Sequence, residues 1–251
     1  MIYSKSMAEL QTMNRCNALV LEILMKLEEI VAPGITTADL DRMAEEWTLR
    51  AGAKPAFKGY RGYPATLCTS INEQIVHGIP GRRTLKEGDI VGLDMGVIID
   101  GFYGDSAMTL PVGRVSDAAR HLMKVAEESL AKGIEQVKIG GRISDIGHAV
   151  SSHVTPHGYT LVKEFTGHGV GRALHEEPQV PNYGEPGRGP RISEGMVLAI
   201  EPMVCAGSCD VVMAEDQWTA STADGSLAAH FERSVAATPS GPWILGTGQG
   251  N

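Results

Sequence analysis

The sequence contains only four cysteines, and they form neither a Cys-x-x-Cys pair nor a zinc-finger spacing. Cys16, Cys68, Cys205 and Cys209 are therefore interpreted as free thiols in a reducing compartment. No apolar run approaches the length of a membrane span, and the N-terminal residues lack the apolar core of a signal peptide. These absences argue against membrane association and favour a cytoplasmic location.

A dense tract of basic residues is also missing. The formal net charge is −8, which argues against a surface that binds nucleic acid specifically. Residues 54–63 do combine three basic with three aromatic side chains, a mixture that can stack on bases. Because this stretch is short, the lining of an apolar pocket is the favoured interpretation. The length of 251 residues and the 43% hydrophobic content suit a soluble globular protein.

Residues 85–105 carry the strongest local pattern. Two apolar, β-branched runs flank Asp100-Gly101, a pair typical of a hairpin turn. Asp94 lies inside the first run and Asp105 inside the second. A carboxylate in the core of a strand is costly without a partner, and two of them across a hairpin repel each other. The pattern therefore predicts a cation between the two carboxylates.

The chain also resembles itself. Residues 85–94 align with residues 192–201, since a Glu-Gly pair, an apolar run and a final carboxylate match. At nearly the same offset, four positions of residues 34–52 match positions of residues 140–158. Such ordered matches favour an internal duplication, and two unrelated turn-and-strand segments are the alternative. The expected organisation is one domain, residues 1–251, with pseudo-repeats at approximately 6–112 and 116–238.

Capping residues and periodicity predict the elements around these segments. Residues 227–237 are expected to form one uninterrupted strand. Three histidines of the fourth helix lack an acidic residue in a metal-binding pattern and are interpreted as surface residues: His148, His153 and His157. Helices are predicted to begin at the polar caps Ser6, Thr36, Ser116 and Ser144.

Five ionisable residues interrupt apolar strands or glycine-rich turns instead of ending them: Asp94, Asp105, His168, Glu201 and Glu232. Four carboxylates around one imidazole carry too much negative charge to be buried without metal. Because carboxylates can bridge, five ligands suffice for two divalent ions. Oxygen-rich ligation with a single histidine favours Mn, Fe or Co and allows Zn.

Longer motifs resemble the type I methionine aminopeptidases. Phe-Thr-Gly-His-Gly-Val-Gly-Arg at 165–172 and His-Glu-Glu-Pro at 175–178 closely match the signature of that family. Val-His-Gly-Ile-Pro at 76–80 and the five candidate ligands follow in matching order. The resemblance covers about residues 8–238. It implies the pita-bread fold, an α/β (α+β) architecture in which helices back a central antiparallel sheet, with internal duplication and pseudo-twofold symmetry.

The resemblance implies a hydrolase that removes the N-terminal methionine from nascent proteins and peptides. Asp94 would bind one ion, and His168 and Glu201 would bind the other. Asp105 and Glu232 would bridge both ions. A metal-bound water or hydroxide would attack the first peptide bond, and Glu201 would shuttle its proton.

The resemblance also implies a substrate site. His77 would donate to the scissile amide or the leaving nitrogen, and His175 would hydrogen-bond the peptide carbonyl and support the oxyanion. A flexible thioether side chain suits an apolar, aromatic cavity. Besides the two histidines, its lining would comprise Tyr60, Tyr63, Cys68, Leu174 and Trp218.

Three positions depart from the commonest bacterial pattern of the family. Phe57 and Thr166 stand where many relatives carry cysteine, and Leu174 stands where they carry phenylalanine. These changes leave the metal ligands untouched but put the shape and selectivity of the pocket in doubt. The chain begins almost at the catalytic unit, which fits the minimal bacterial form. Such a protein is expected to be a monomer that meets nascent chains in the cytoplasm, with transient ribosome contact.

Other functions remain open at this level. A prolidase or X-Pro aminopeptidase uses the same five ligand types but usually carries a large N-terminal domain. A relative that has lost catalysis could serve as a binding module, although all five ligands and both histidines are present here. A two-metal phosphatase or nuclease would need a basic phosphate clamp, for which Arg82 and Arg83 are the obvious candidates.

Overall fold

The computed structural model describes residues 2–248. As predicted, Ser6, Thr36 and Ser116 each accept a hydrogen bond from the backbone of the first helical turn. The helices are α1 (Met7–Ile30), α2 (Thr37–Arg50), α3 (Asp117–Ile134) and α4 (Ile143–Val154).

Strands make up most of the remaining regular structure. In chain order they are β1 (Lys54–Pro55), β2 (Leu67–Ile71), β3 (Gln74–Val76), β4 (Ile90–Ile99), β5 (Phe102–Pro111), β6 (Thr160–Leu161), β7 (Gly167–Gly169), β8 (Glu176–Val180), β9 (Val197–Ile200), β10 (Met203–Cys205), β11 (Val211–Met213), β12 (Ala220–Thr222), β13 (Ala228–His230), β14 (Glu232–Thr238) and β15 (Gly241–Ile244).

Nine strands form the main antiparallel sheet. Its order is β1-β4-β5-β14-β9-β7-β8, with β2 beside β4 and β15 beside β14. Two small sheets complete the fold, one of β13, β10 and β6 and the other of β11, β12 and β3. The long hairpin of β4 and β5 turns at Asp100-Gly101, as predicted.

Helices cover one face of the main sheet. Leu93 and Met95 of β4 share a core with α1 and α2, whereas Leu198 and Val235 share a second core with α3 and α4. Successive residues of a strand point to opposite faces, so the residues that alternate with these core residues lie on the face without helices. The predicted α/β fold, a central antiparallel sheet backed by helices, is confirmed.

The internal duplication and its repeat boundaries stay predictions. The same holds for the single domain over residues 1–251, of which Met1 and residues 249–251 lie outside the described part. Each helix within residues 2–248 is too short or too polar to span a bilayer.

Two predicted boundaries are wrong. The fourth helix is capped at Arg142, two residues before Ser144, because the side chain of Asp145 accepts the backbone N–H of Arg142 (2.7 Å). The predicted final strand is split at Phe231. It divides there because β13 pairs with β10 in a small sheet, whereas β14 pairs with β5 and β9 in the main sheet.

Candidate metal centre and adjoining pocket

Strand register places three of the predicted ligands on one face. Across the β4–β5 hairpin, Asp94 lies opposite Ala107 and Gly96 lies opposite Asp105. Ala107 in turn lies opposite Glu232 of β14. Directly opposed residues share a face of the sheet, and so do residues two apart in one strand. Asp94, Asp105 and Glu232 therefore project together from the face that the helices leave free.

The other two predicted ligands reach this face from β7 and from the end of β9. His168 lies opposite Ala199, and Glu201 follows Ala199 by two residues. Ser234 lies opposite Ala199 on its other side, and its hydroxyl donates to the carbonyl of Asp105 (3.0 Å). All five predicted ligands thus converge.

The distances within the cluster suit metal ligation. Nε2 of His168 lies 3.5 Å from Oε1 of Glu201 and 3.9 Å from Oδ2 of Asp105. Ligand atoms of Asp105, His168 and Glu232 all lie within 4.8 Å of one another. Oδ1 of Asp94, Oδ1 of Asp105 and Oε1 of Glu232 are buried without a hydrogen-bond partner. Because buried oxygens need partners and divalent ions prefer such ligands, these residues could hold metal.

Burial also changes the acidity of the cluster. Desolvation raises the pKa of Asp94 to about 7. Desolvation and the neighbouring carboxylates raise the pKa values of Asp105 and Glu232 well above their usual range. Burial also acts to raise the pKa of Glu201, but His230 and His168 outweigh it and lower that pKa. The metal-free cluster therefore retains protons that a divalent cation would displace.

The turn at His77 fixes that side chain beside the cluster. His77 adopts a left-handed backbone conformation with φ of 62°, and a Cβ at Gly78 would clash with the carbonyl of Thr69. The imidazole packs edge-on against Phe165 and Trp218, with ring centroids 5.4 and 6.3 Å apart. Burial lowers the pKa of His77, which favours the neutral ring.

His175 lies on the other side of the opening. Its ring centroid is 4.3 Å from that of His168, and its Nδ1 is 2.8 Å from the hydroxyl of Tyr60. Burial, together with the charge of His168, lowers the pKa of His175 to about 4. The imidazole is therefore neutral at neutral pH and offers one N–H donor and one acceptor.

A cavity of about 380 Å³ contains the cluster, since all five candidate ligands line it, and apolar and aromatic side chains form another part of its wall. Trp218 packs edge-on against Tyr63, with ring centroids 5.1 Å apart, and the Tyr63 hydroxyl reaches the carbonyls of Leu67 and Gly78 (3.1 Å each). The cavity is lined by every residue predicted for the pocket and by the departing positions: Phe57, Tyr60, Tyr63, Cys68, His77, Thr166, Leu174, His175 and Trp218. Their roles in binding stay predictions.

A larger neighbouring cavity, of about 600 Å³, shares His175 with this one. Four of its charged side chains are paired, Lys5 with Glu176 at 2.6 Å and Arg172 with Glu9 at 3.0 Å. The buried group able to hold metal, Asp105, His168 and Glu232, lines the other cavity, so this one is not the candidate metal centre.

The three helix histidines lie apart from the predicted ligands. His148 and His157 are exposed, as predicted. His153 is partly buried, and its Nε2 lies 3.2 Å from Oε2 of Glu128 on α3.

One residue beside the cluster is absent from the sequence prediction. His230 is 4% exposed, and its Nε2 lies 3.5 Å from Oε2 of Glu201. A signal for it exists, since His230 interrupts the same apolar segment as Glu232.

Fold and site together define the class of protein. It is an α/β protein in which an antiparallel sheet, backed by helices, carries a buried cluster of carboxylates and imidazole able to bind metal, in a cavity with an apolar, aromatic wall.

Comparison with known proteins identifies the family. The sequence pattern of Metallopeptidase family M24 matches residues 11–239. A methionine aminopeptidase of Clostridium acetobutylicum is 49% identical over 246 residues, which cover 98% of both chains. Methionine aminopeptidase 1 of Bacillus subtilis is 48% identical over 245 residues, 98% of this chain and 99% of that one. The chain therefore belongs to metallopeptidase family M24.

A solved structure extends the comparison to the fold. The crystal structure of methionine aminopeptidase from Rickettsia prowazekii matches with a TM-score of 0.97 at 38% identity, covering 98% of this chain and 100% of that chain. The resemblance to methionine aminopeptidases and the predicted pita-bread fold are confirmed.

Proposed function

We propose that this protein removes the N-terminal methionine from peptides and nascent polypeptides in a metal-dependent hydrolysis. The observation that carries the proposal is a single cavity in which a buried carboxylate cluster adjoins an apolar, aromatic wall. The near-full-length likeness to methionine aminopeptidases supports the same substrate.

Two divalent ions, Co, Mn, Fe or Zn, are the proposed cofactors. Asp94 would hold one ion, His168 and Glu201 the other, and Asp105 and Glu232 both. The unpartnered buried oxygens of Asp94, Asp105 and Glu232 support this assignment. When bound, the ions would make a water molecule acidic enough to act as the nucleophile near neutral pH.

The residues around the ions would orient the peptide. The methionine side chain would enter the cavity between Tyr63, Leu174 and Trp218, where a thioether gains apolar contacts. The free α-amine would lie at the acidic end. A longer chain on that side would meet the buried carboxylates on the face of the sheet instead of solvent, so only the first peptide bond would be cut.

Two neutral imidazoles would stabilise the reacting amide. Nδ1 of His175 would accept the hydroxyl proton of Tyr60, which leaves the Nε2–H to donate to the peptide carbonyl. His77 would donate to the scissile amide or its leaving nitrogen. The carboxylate of Glu201 would carry a proton from the attacking water toward that nitrogen.

The same proposal includes the setting of the reaction. The protein would act as a monomer in the cytoplasm, on nascent chains and with transient ribosome contact. The four free cysteines support a reducing compartment.

A peptide cleavage experiment tests the proposal. Metal-stripped protein, reloaded with Mn or Co, would be incubated with Met-Ala-Ser, Leu-Ala-Ser and Ala-Pro-Ser and followed by mass spectrometry. We expect loss of methionine from Met-Ala-Ser alone, and only with metal.

Other outcomes would redirect the assignment. Cleavage of Ala-Pro-Ser instead would move the protein to the proline-specific peptidases. No cleavage by metal-loaded protein would favour a binding module that has lost catalysis.

Pocket shape gives a smaller, separable prediction. Leu174 is 2% exposed and lines the cavity, so Leu174→Ala removes apolar contact from the methionine side chain. We expect KM for Met-Ala-Ser to rise about tenfold, the lower part of the range for lost apolar contacts, with a smaller change in kcat. Leu49→Ala, at a side chain that is 56% exposed, is the matched control. An unchanged KM in Leu174→Ala would remove Leu174 from the binding pocket.

A further inference from the structure

Two neighbouring strands of the main sheet, β9 and β14, each adjoin a short strand of a small sheet. An ionisable residue lies at each of these two junctions. β9 ends at Ile200 and the chain re-pairs in a small sheet from Met203, so Glu201 lies in the gap. In the partner strand, β13 ends at His230 and β14 begins at Glu232. Because β9 pairs with β14 and β10 pairs with β13, Glu201 and His230 come together at this crossing.

The backbone of His230 is fixed on both sides. The hydroxyl of Thr109 donates to the carbonyl of His230 (2.8 Å), and the N–H of His230 donates back to the same hydroxyl (2.9 Å). The backbone of Glu201 is held as well, since Asn182 donates to its carbonyl (3.0 Å). The contact between the two side chains therefore follows from two anchored backbones.

The two oxygens of Glu201 face different imidazoles. Oε1 lies 3.5 Å from Nε2 of His168, and Oε2 lies 3.5 Å from Nε2 of His230. Nε2 of His230 is buried without a hydrogen-bond partner. A separation of 3.5 Å is slightly longer than the roughly 2.7–3.2 Å of a hydrogen bond, so a small rotation of the carboxylate would close it.

We propose that His230 is a positioning residue whose Nε2–H donates to Oε2 of Glu201 and thereby holds Oε1 toward the ion that His168 also binds. The inference rests on the proposed metal centre and assigns His230 no contact with substrate. Donors behind a ligating carboxylate fix its orientation, and removing such partners commonly weakens metal affinity by about 10–100-fold.

A metal-binding measurement on two variants tests the assignment. His230→Leu removes the donor at similar volume, whereas the amide of His230→Gln retains an N–H. Affinity of each metal-free protein for Mn would be measured by calorimetry, without peptide. We expect about tenfold weaker binding in His230→Leu and recovery of most of that loss in His230→Gln. His153→Ala, which alters a histidine outside the centre, is the control and should bind as the wild type does.

Measurement on the wild-type protein keeps the test independent of variant folding. In zinc-loaded protein with ¹⁵N-labelled histidine, long-range nitrogen–proton correlation spectra report which ring nitrogen carries the proton. We expect a proton on Nε2 of His230.

Each contrary result has a distinct meaning. An unprotonated Nε2 would leave no N–H to donate to Glu201 and would overturn the positioning role of His230. Unchanged Mn affinity in folded His230→Leu would overturn it as well. Failure of the wild-type protein to bind metal would overturn the proposed function itself. Because neither measurement uses a peptide, a failed cleavage test alone would leave the inference intact.

Discussion

Replacing His168 by alanine is expected to lower kcat/KM for Met-Ala-Ser by about three orders of magnitude or more, because a catalytic ion contributes several kcal/mol to the transition state and each 1.36 kcal/mol is a factor of ten. His168 contributes the only imidazole among the five predicted ligands, and its Nε2 faces Glu201 at 3.5 Å. Glu201→Gln should cause a comparable loss, since the amide keeps the shape but neither ligates as an anion nor carries the proton.

Matched controls separate a lost site from a lost fold. His153→Ala removes an imidazole from α4, where it faces Glu128 instead of the cluster, and should retain wild-type activity. Circular dichroism of His168→Ala and Glu201→Gln should retain the wild-type spectrum. Wild-type turnover by either folded variant would contradict the assignment of the metal centre.

Removing metal is expected to make the stability of the protein fall as pH rises. In the metal-free fold, burial raises the pKa of Asp94 to about 7 and raises those of Asp105 and Glu232 further. Unfolded carboxyls titrate near pH 4, so between about pH 4 and 7 the folded state binds more protons than the unfolded state. This contribution to stability is fully present below the unfolded pKa and is lost as pH rises through the folded pKa values.

The effect should be large enough to measure by thermal unfolding. Between about pH 5 and about pH 8 the raised pKa of Asp94 accounts for a loss of roughly 3 kcal/mol, which for a chain of this size is about 5–10 °C in Tm. We therefore expect the metal-free protein to melt about that much lower at about pH 8 than at about pH 5. Scanning calorimetry in the presence of a chelator provides the comparison.

Two further melts identify the cause. Asp94→Asn removes one titrating group and should flatten the pH dependence. Excess Mn should raise Tm more at the higher pH, because ions bind the deprotonated ligands. A metal-free Tm that rises with pH over this interval would contradict the buried, proton-retaining cluster.

Local chemistry explains what could be read from the sequence. The hairpin turn needs positive φ at both central residues, and Asp100 and Gly101 have φ of 52° and 78°. The helix caps at Ser6, Thr36 and Ser116 were likewise readable from side chains that lie within one turn of their partners. Acidic residues inside apolar runs were informative because their burial is costly alone.

Long-range pairing explains what could not be read. Glu232 meets Ala107 across two strands that are far apart in sequence, and no local pattern encodes that register. The strand break at Phe231 has the same origin, since it depends on which sheet receives each half. Glu201 and His230 lie close together only because the chain changes sheets at Phe231. A single continuous strand over residues 227–237, as the sequence predicts, does not indicate that contact.

The sheet face beneath the candidate ligands, called the floor of the site here, limits which substitutions can change substrate selectivity. On the face of the main sheet that carries the candidate ligands, the residues that lie between them are all small: Gly96, Ala107, Ala199 and Ser234. At Gly96 an added Cβ would already lie 3.0 Å from Ala56 and 3.1 Å from Phe57. Substitutions on this floor therefore intrude on the reaction space whatever their chemistry.

The wall of the cavity is under less constraint. Phe57, Thr166 and Leu174 line the cavity but are not among the candidate ligands. Substitutions at these wall positions can therefore change which side chain the cavity accepts and leave the candidate ligands unchanged.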